Sequence, residues 1–237
     1  MNILSLLPGT FIVIEGIDGA GKSSLVQALK EYLEQHVENK IVTTREPGAT
    51  EFGKRVREIV LHEDLSPYAE LMLYQADRFD HIDKVIVPAL EENAIVICDR
   101  FTPSTFAYQH CGKGLSGEFI ESLELQAYKH IGLIESSVKE FPSDTIPNHA
   151  VFHLNLPLEK ARYRLTNKEK DKFESMDDWF YTKVIRGYAH LNQTRSSFRS
   201  IDATYPPLEL LKTTVGALKY YKEIYNIKWK STLPSQF

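Results

Sequence analysis

The chain of 237 residues has little cysteine, and its two thiols, Cys98 and Cys111, exclude a disulfide framework. It lacks any apolar run near the roughly 18 residues that span a bilayer. Its first residues, Met1–Pro8, have neither the basic region nor the apolar length of a signal peptide. These absences predict a cytoplasmic protein of a reducing compartment, with no membrane partner.

Neither sign of charge dominates, because 28 Lys and Arg residues face 32 Asp and Glu residues, for a net charge of −4. That balance argues against a protein that binds nucleic acid, since phosphate neutralisation needs a cationic surface. It leaves room for local basic pockets. Gly and Pro, at 12 and 11 residues, are too few for a low-complexity chain. With no linker or repeat visible, we expect a single domain over residues 1–237.

Short apolar runs alternate with segments of helical periodicity. The runs predicted as strands are Phe11–Glu15, Lys40–Thr44, Ala94–Cys98, Ala150–Leu154 and Phe198–Ile201. All lack Gly and Pro, as strands buried on both faces do. Between them, apolar residues recur every three or four positions, and Ser66-Pro67 predicts the start of a helix that runs toward Pro88. The alternation predicts an α/β fold, a five-stranded parallel sheet with helices on both faces.

The strongest motif is the segment from Gly16 to Ser23, which reads Gly-Ile-Asp-Gly-Ala-Gly-Lys-Ser and matches G-x-x-x-x-G-K-[ST] in full. A predicted strand enters it and a predicted helix leaves it, as a phosphate-binding loop requires. Backbone amides and the helix N-terminus then hold phosphate, Lys22 reaches the β- and γ-phosphates, and Ser23 joins a Mg²⁺ shell. The segment therefore predicts a nucleoside triphosphate site with Mg²⁺.

This loop alone does not separate a kinase from a GTPase or an assembly ATPase. The run Asn167-Lys168-Glu169-Lys170 resembles the base-reading motif of GTPases only superficially, since Asp171 falls one place late and no strand precedes the run. Without further context, the residues from Asn167 to Lys172 are typical of a solvated loop, as is the polar segment Ser136–His149.

Two arginines follow predicted strands directly and indicate a second ligand. Arg45 follows the second strand and Asp99-Arg100 follows the third, so both lie at carboxyl ends, where open parallel sheets bind ligands. Two guanidinium groups in one crevice suit a phosphate monoester. A surface ion pair is the alternative for either arginine taken alone. Together they favour an acceptor that already carries a phosphate.

Five stretches, in chain order, resemble the thymidylate kinases, of the bacterial kind with glycine rather than arginine inside the loop. They are residues 11–23, 44–50, 71–78, 99–109 and 201–204. The resemblance covers roughly residues 11–220 and implies a P-loop nucleoside monophosphate kinase-like fold. It also implies transfer of the ATP γ-phosphate to dTMP to give dTDP, with Mg²⁺, in a homodimer.

The resemblance assigns the ATP contacts to the loop and to the segment after the fifth strand. They are Gly16, Ile17, Asp18, Gly19, Ala20, Gly21, Lys22, Ser23, Ser24, Asp202 and Ala203. It places Ser23 and Asp99 at Mg²⁺, Asp99 through water. The catalytic residues that it implies are Lys22, Arg100, Arg164 and Asp18.

The acceptor residues that it implies are Asp18, Arg45, Pro47, Tyr74, Arg78, Arg100, Ser104, Thr105, Tyr108 and Gln109. Asp18 would accept the 3′-hydroxyl, and Arg45 and Arg100 would hold the phosphate. Tyr74 would stack on thymine, Arg78 would bind the base O4, and Thr105 the N3 edge. Tyr108 would crowd the 2′ position and reject ribonucleotides. The residues themselves leave alternatives open: Tyr74 also fits a core position, and Arg78 also fits a solvated face of ion pairs.

Relatives with glycine in the loop carry arginines in a lid, here residues 165–175. This chain has lysines where relatives often have arginine, so Arg164 is the predicted transition-state contact, with Lys168 and Lys172 as further candidates. The tail, residues 226–237, receives no role. The alternative functions are a kinase for another nucleoside monophosphate or a deoxynucleoside, and a P-loop switch or assembly ATPase.

Overall fold

The computed structural model of the chain describes residues 8–134, 148–165, 172–173, 175–220 and 225–230. Its strands are β1 (Thr10–Glu15), β2 (Ile41–Arg45), β3 (Ile95–Asp99), β4 (His149–Asn155) and β5 (Phe198–Asp202). The first and last residues of every strand lie within one residue of the predicted positions. Most of the two predicted loops lies outside the described residues, and so do Lys168 and most of the predicted lid.

The described helices are α1 (Lys22–His36), α2 (Glu51–His62), α3 (Pro67–His81), α4 (Val87–Glu91), α5 (Thr102–Thr105), α6 (Gly117–Ile131), α7 (Leu158–Leu165), α8 (Asp178–Thr194) and α9 (Pro207–Tyr220). The predicted start of α3 is confirmed, because the Ser66 hydroxyl caps the helix by accepting from the Ala69 amide at 3.4 Å. Across the described part of the chain, no helix combines the length and apolarity needed to cross a membrane.

Two π-helical segments were not predicted. Ile82–Ile86 joins α3 to α4, and Phe106–Gly112 continues α5. The first ends two residues before Pro88, whose ring and missing N–H disrupt the bonds of a regular α-helix and favour a wider turn. The second carries two of the predicted acceptor residues, Tyr108 and Gln109.

All five strands run parallel, in the order β2-β3-β1-β4-β5. The central strand β1 is buried at every position, which requires cover on both faces of the sheet. The expectation of full burial is wrong for β2, where Thr43 and Arg45 are exposed. Among the described strands, β2 pairs only with β3 and lies at the edge of the sheet, so solvent reaches its side chains.

The parallel sheet brings the predicted functional residues together at the carboxyl ends of its strands. In the register of the strands, Arg45 of β2 lies beside Asp99 of β3, and Asp99 lies beside Ile14 of β1. Strands β2 and β3 lie on one side of β1, and β4 and β5 lie on the other. The carboxyl end of β1 is therefore the switch point in strand order, where ligands bind in open α/β sheets. The loop after β1 and Arg100 after β3 therefore face the same crevice.

Candidate active site

The phosphate-binding loop follows β1 with its glycines in backbone conformations that other residues rarely adopt. Gly16 has a φ of 142° and Gly19 a φ of 80°. A Cβ atom would lie 2.8 Å from the Leu154 carbonyl oxygen at Gly16 and 2.7 Å from the Ala161 carbonyl oxygen at Gly19. The loop therefore depends on glycine both for its turns and for its close approach to neighbouring backbone.

Lys22 begins α1 and is folded back into the loop. Its Nζ donates to the Ile17 carbonyl oxygen at 3.0 Å and lies 3.5 Å from Asp18 Oδ1. Burial of the ammonium, and then the charge of Arg100, lower the pKa of Lys22. A bound anion would oppose both effects, because it stabilises the charged ammonium. The surroundings of Lys22 are therefore suited to a phosphate.

Ser23 and Asp99, predicted for Mg²⁺, are in direct contact. The Ser23 hydroxyl donates to Asp99 Oδ2 at 2.8 Å and so joins the start of α1 to the end of β3. Hydroxyl and carboxylate oxygens are ligands that Mg²⁺ accepts. Within the described residues, no group of three or more His, Cys, Asp or Glu side chains could hold a metal. A cation at this point would therefore take most of its ligands from phosphates and water.

Asp18 and Arg100 form an ion pair between the loop and the residue that follows β3. Arg100 Nη2 lies 2.5 Å from Asp18 Oδ1, and the Tyr108 hydroxyl lies 3.5 Å from Asp18 Oδ2. Burial opposes ionisation of Asp18, but the charges of Arg100 and Lys22 outweigh it and hold the pKa of this carboxyl below its usual range. Asp18 is therefore an ionised acceptor between two predicted ligand sites.

Glu15, which sequence reasoning missed, stabilises this pair indirectly, through bonds to residues that follow Arg100. Its buried carboxylate accepts from the Phe101 amide at 2.8 Å and from the Ser104 hydroxyl at 2.6 Å. Ser104 Oγ in turn accepts from Arg100 Nη1 at 3.1 Å. Burial raises the pKa of Glu15. The only signal in the sequence is an acidic residue at the end of an apolar strand.

Arg78 is buried, which excludes the alternative that it belongs to a solvated face. Its Nε donates to Glu46 Oε2 at 2.8 Å, and its Nη1 donates to Thr105 Oγ1 at 3.0 Å. Glu46 Oε1 lies 2.9 Å from His81 Nδ1. Glu46 thus fixes the predicted base-binding arginine, a role that sequence reasoning did not give it.

These residues line two adjoining clefts. The inner cleft is lined by Asp18, Glu46, Pro47, Arg57, Leu61, Tyr74, Arg78, Arg100, Phe101, Ser104, Thr105, Tyr108, Gln109 and Phe173. The outer cleft is lined by Asp18, Gly19, Ala20, Gly21, Lys22, Ser23, Ser24, Leu25, Ala28, Arg45, Glu46, Arg57, Asp99, Arg100, Arg164, Leu165, Tyr205, Pro207 and Leu210. Asp18, Glu46, Arg57 and Arg100 are common to both.

The inner cleft gathers every predicted acceptor residue except Arg45, which lines the outer cleft. Arg57, absent from the predictions, lines both clefts, and its Nη1 donates to the Pro47 carbonyl oxygen at 3.2 Å. The signal that could have found it is a basic residue in the segment of helical periodicity that follows Arg45.

Among the predicted ATP residues, four do not line the outer cleft: Gly16, Ile17, Asp202 and Ala203. Tyr205, two residues beyond Ala203, lines it instead. Arg164 connects the phosphate-binding loop to the segment after β5, because its guanidinium donates to the carbonyl oxygens of Gly19 at 3.2 Å and Ala203 at 3.1 Å. Lys172 lies elsewhere, 2.9 Å from the carboxylate of Glu70.

Asp77, beside the inner cleft, carries an unfavourable charge. Burial, and then the charge of Glu46, raise the pKa of Asp77 to about 6. Its Oδ1 accepts from the Gly48 amide at 3.3 Å, and its Oδ2 is buried without a hydrogen-bond partner among the described residues. Between its ordinary pKa and about 6, the native state holds a proton that the unfolded state has lost. Stability therefore falls as the pH rises through this interval.

We expect Asp77→Asn to raise the free energy of unfolding by about 1–2 kcal/mol at pH 7.5, because Asn keeps the acceptor and removes the charge. Urea denaturation at pH 7.5 and pH 4.5 measures it, and the gain should shrink toward the lower pH. Asp64→Asn, at an exposed position, is the control. A loss of stability at pH 7.5, or a gain that does not depend on pH, would contradict the account.

Comparisons with known proteins agree with this geometry. Residues 14–215 match the family model described as thymidylate kinase. The chain belongs to the thymidylate kinase family. It is 37% identical over 218 residues to the thymidylate kinase of Synechococcus sp. strain CC9311, covering 89% of this chain and 95% of that protein. It is 38% identical over 213 residues to that of Chlamydia caviae, covering 87% and 96%.

Among solved structures, the crystal structure of thymidylate kinase from Ehrlichia chaffeensis superposes with a TM-score of 0.65. It shares 28% sequence identity and covers 89% of this chain and 98% of that one. The predicted P-loop kinase fold and the predicted activity, ATP-dependent phosphorylation of dTMP to dTDP, are thereby confirmed for this thymidylate kinase. The alternatives, a kinase for another acceptor or a P-loop switch, are not favoured.

Proposed function

We propose that this chain transfers the γ-phosphate of ATP in the outer cleft to the phosphate of dTMP in the inner cleft. The observation that carries the proposal is the junction of the clefts, where Asp18, Arg57 and Arg100 line both. In this arrangement Arg57 and Arg100 hold the acceptor phosphate at the junction, Arg45 contacts it from the outer cleft, and Lys22 holds the donor phosphate. Positioning and charge stabilisation supply the rate, since phosphoryl transfer asks little covalent chemistry of the protein.

The part of the inner cleft that lies around Arg78 suits the thymine base. Arg78 donates from a fixed position beside Thr105, and Tyr74 offers an aromatic face on the same helix. Gln109, Ser104 and Pro47 complete the wall. Because Glu46 satisfies one side of the Arg78 guanidinium, the other side keeps a fixed direction toward the base O4.

Release of ADP with a panel of acceptors tests the proposal. The panel is dTMP, dUMP, dCMP, dGMP, UMP and thymidine, each with Mg-ATP. We expect dTMP to give the highest kcat/KM and thymidine to give no stimulation, because thymidine lacks the phosphate that the arginines hold. Stimulation by thymidine but not by dTMP would overturn the assignment of the inner cleft.

Tyr108 is proposed to reject ribonucleotides. The ring is buried, lies 5.2 Å from the Arg100 guanidinium carbon and carries its hydroxyl toward Asp18. For Tyr108→Ala we expect the preference for dTMP over its ribose counterpart to fall about tenfold, since removing the ring opens space at the 2′ position. Tyr108→Phe keeps the ring and should keep the preference. An unchanged preference in Tyr108→Ala would remove this role.

Mg²⁺ is proposed at Ser23 and, through water, at Asp99. The fit rests on their 2.8 Å contact at the mouth of the loop, where two oxygen ligands face the outer cleft. When bound, the ion supplies charge to the phosphates. Asp202 and Ala203 are proposed to border the adenine, with Ala203 held by Arg164.

Arg164 is proposed as the cation that reaches the transferring phosphate. It lines the outer cleft, and its bonds to the loop carbonyls keep the guanidinium beside the phosphate site. Those bonds must be exchanged for phosphate oxygens when it acts. Arg164→Ala should lower kcat by a larger factor than it changes KM for ATP or KM for dTMP, because the contact is made in the transition state.

A single cytoplasmic domain in a homodimer is proposed for the whole. One hydrophobic cluster runs from Phe11 to Ile227, which supports a single domain. Tyr68 and Met72 of α3 and Phe119 of α6 are exposed, and the rings of Tyr68 and Phe119 lie 6.4 Å apart, so they form one apolar patch suited to a second copy. Sedimentation of the native chain and of Met72→Glu tests the dimer.

A further inference from the structure

Glu70, in the first turn of α3, is a fully buried carboxylate with no part in the chemistry described above. Lys113 Nζ lies 2.7 Å from both of its oxygens, Lys172 Nζ lies 2.9 Å from Oε2, and Gln109 Nε2 donates to Oε1 at 3.2 Å. A buried carboxylate needs one compensating charge, and this one has two. The second cation therefore calls for a reason other than neutralisation.

Lys172 is joined directly to a wall of the inner cleft, because the next residue, Phe173, lines that cleft. The buried Phe173 ring lies 5.8 Å from the Tyr108 ring and 5.1 Å from Lys113 Nζ. Its carbonyl oxygen accepts from the Tyr181 hydroxyl at 3.2 Å. Phe173 is thus held between the Glu70 cluster and the side chain proposed to contact the sugar.

Lys172 is also bonded to the end of α2, which forms a second part of the lining of the same cleft. Its Nζ donates to the Glu63 carbonyl oxygen at 3.0 Å, and its amide donates to the Leu61 carbonyl oxygen at 3.4 Å. Leu61 itself lines the inner cleft. The bond that Lys172 donates to Glu70 therefore fixes two parts of the cleft lining, Phe173 and the end of α2, relative to α3, which carries Tyr74 and Arg78.

We propose that Glu70 is a positioning residue for the acceptor. By holding Lys172 it sets Phe173 against the inner cleft, and by holding Gln109 it fixes a polar group on the same wall. No residue of the cluster lines the outer cleft, so its effect should fall on dTMP and not on ATP. The inference rests on the proposed assignment of the inner cleft to dTMP.

Steady-state kinetics of the full chain test it with Lys172→Met, Phe173→Ala and their combination. Lys172→Met leaves Glu70 paired with Lys113, so the fold should be kept. We expect each single variant to raise KM for dTMP about tenfold, with KM for ATP and kcat within about twofold of the native values. The double variant should do less than the product of the two single effects, because part of the effect of Lys172 passes through Phe173.

Conservative and remote variants complete the design. Lys172→Arg should restore a near-native KM for dTMP, and Lys40→Met, at an exposed lysine 2.8 Å from Glu92, should change nothing. Multiplicative effects in the double variant, or an equal rise in both KM values, would overturn the inference while native activity on dTMP stands. A native chain that does not use dTMP would instead overturn the proposed function.

Discussion

Replacement of Arg100 by alanine is expected to lower kcat/KM for dTMP about a thousandfold, with ATP affinity within about threefold of native. Arg100 belongs to both clefts, but its guanidinium is turned toward the acceptor side. It pairs with Asp18, contacts Ser104 and lies 5.2 Å from the Tyr108 ring centroid. Its loss removes a phosphate clamp and the main partner of Asp18 in one step.

Lysine at the same position should recover only part of the loss. Arg100→Lys keeps the charge near Asp18 but cannot donate two parallel bonds to a phosphate. We expect its kcat/KM to lie between those of the native enzyme and Arg100→Ala. Arg186→Ala, at an exposed position on α8, is the matched control. ATP affinity is measured by calorimetry without acceptor, and an equal loss of ATP and dTMP affinity in Arg100→Ala would contradict the role.

The strands and the phosphate-binding loop could be predicted because their signals are local. A buried parallel strand needs an apolar run without Gly or Pro, and every strand bound was found within one residue. The loop needs glycines at set spacing between a strand and a helix, which the segment from Gly16 to Ser23 provides. The same reasoning could not recognise that β2 lies at an edge, since strand order depends on contacts between distant segments.

The missed residues share a different property. Glu15, Glu46 and Glu70 are buried carboxylates whose partners lie 32 to 173 positions away in the chain, the longest separation being that of Tyr188, which donates to Glu15. Periodicity assigns acidic residues to the surface, because an unpaired carboxylate is costly to bury. Only the folded chain supplies the arginine, lysine and hydroxyl partners that reverse this preference.

The π-helical segment Phe106–Gly112 could not be predicted for a related reason. Its sequence has ordinary helical spacing, so nothing local indicates a wider turn. The widened turn presents Tyr108 and Gln109 to the inner cleft while Phe106 and Ala107 remain in the core. Such segments recur at functional sites. The family resemblance located these two residues, whereas the geometry that aims them came from tertiary packing.

Glu46→Ala is expected to give the largest loss of stability among the site variants, about 3 kcal/mol in the free energy of unfolding. Glu46 uses one oxygen for Arg78 Nε at 2.8 Å and the other for His81 Nδ1 at 2.9 Å, and all three side chains are buried. Removing the carboxylate leaves the buried guanidinium without its hydrogen-bonded counter-charge. Because the same guanidinium is the proposed ligand of the base O4, KM for dTMP should rise about thirtyfold as well.

A second substitution separates these two effects. In Glu46→Ala combined with Arg78→Met, the uncompensated charge is gone, so part of the lost stability should return. KM for dTMP should stay high, because no group then addresses the base. Glu46→Gln, which keeps one acceptor oxygen, should fall between native and Glu46→Ala in both measurements. Urea denaturation and steady-state kinetics on the same preparations provide the comparison. If the double variant regained dTMP affinity along with stability, Arg78 would have only a structural role and the base would be recognised elsewhere in the inner cleft.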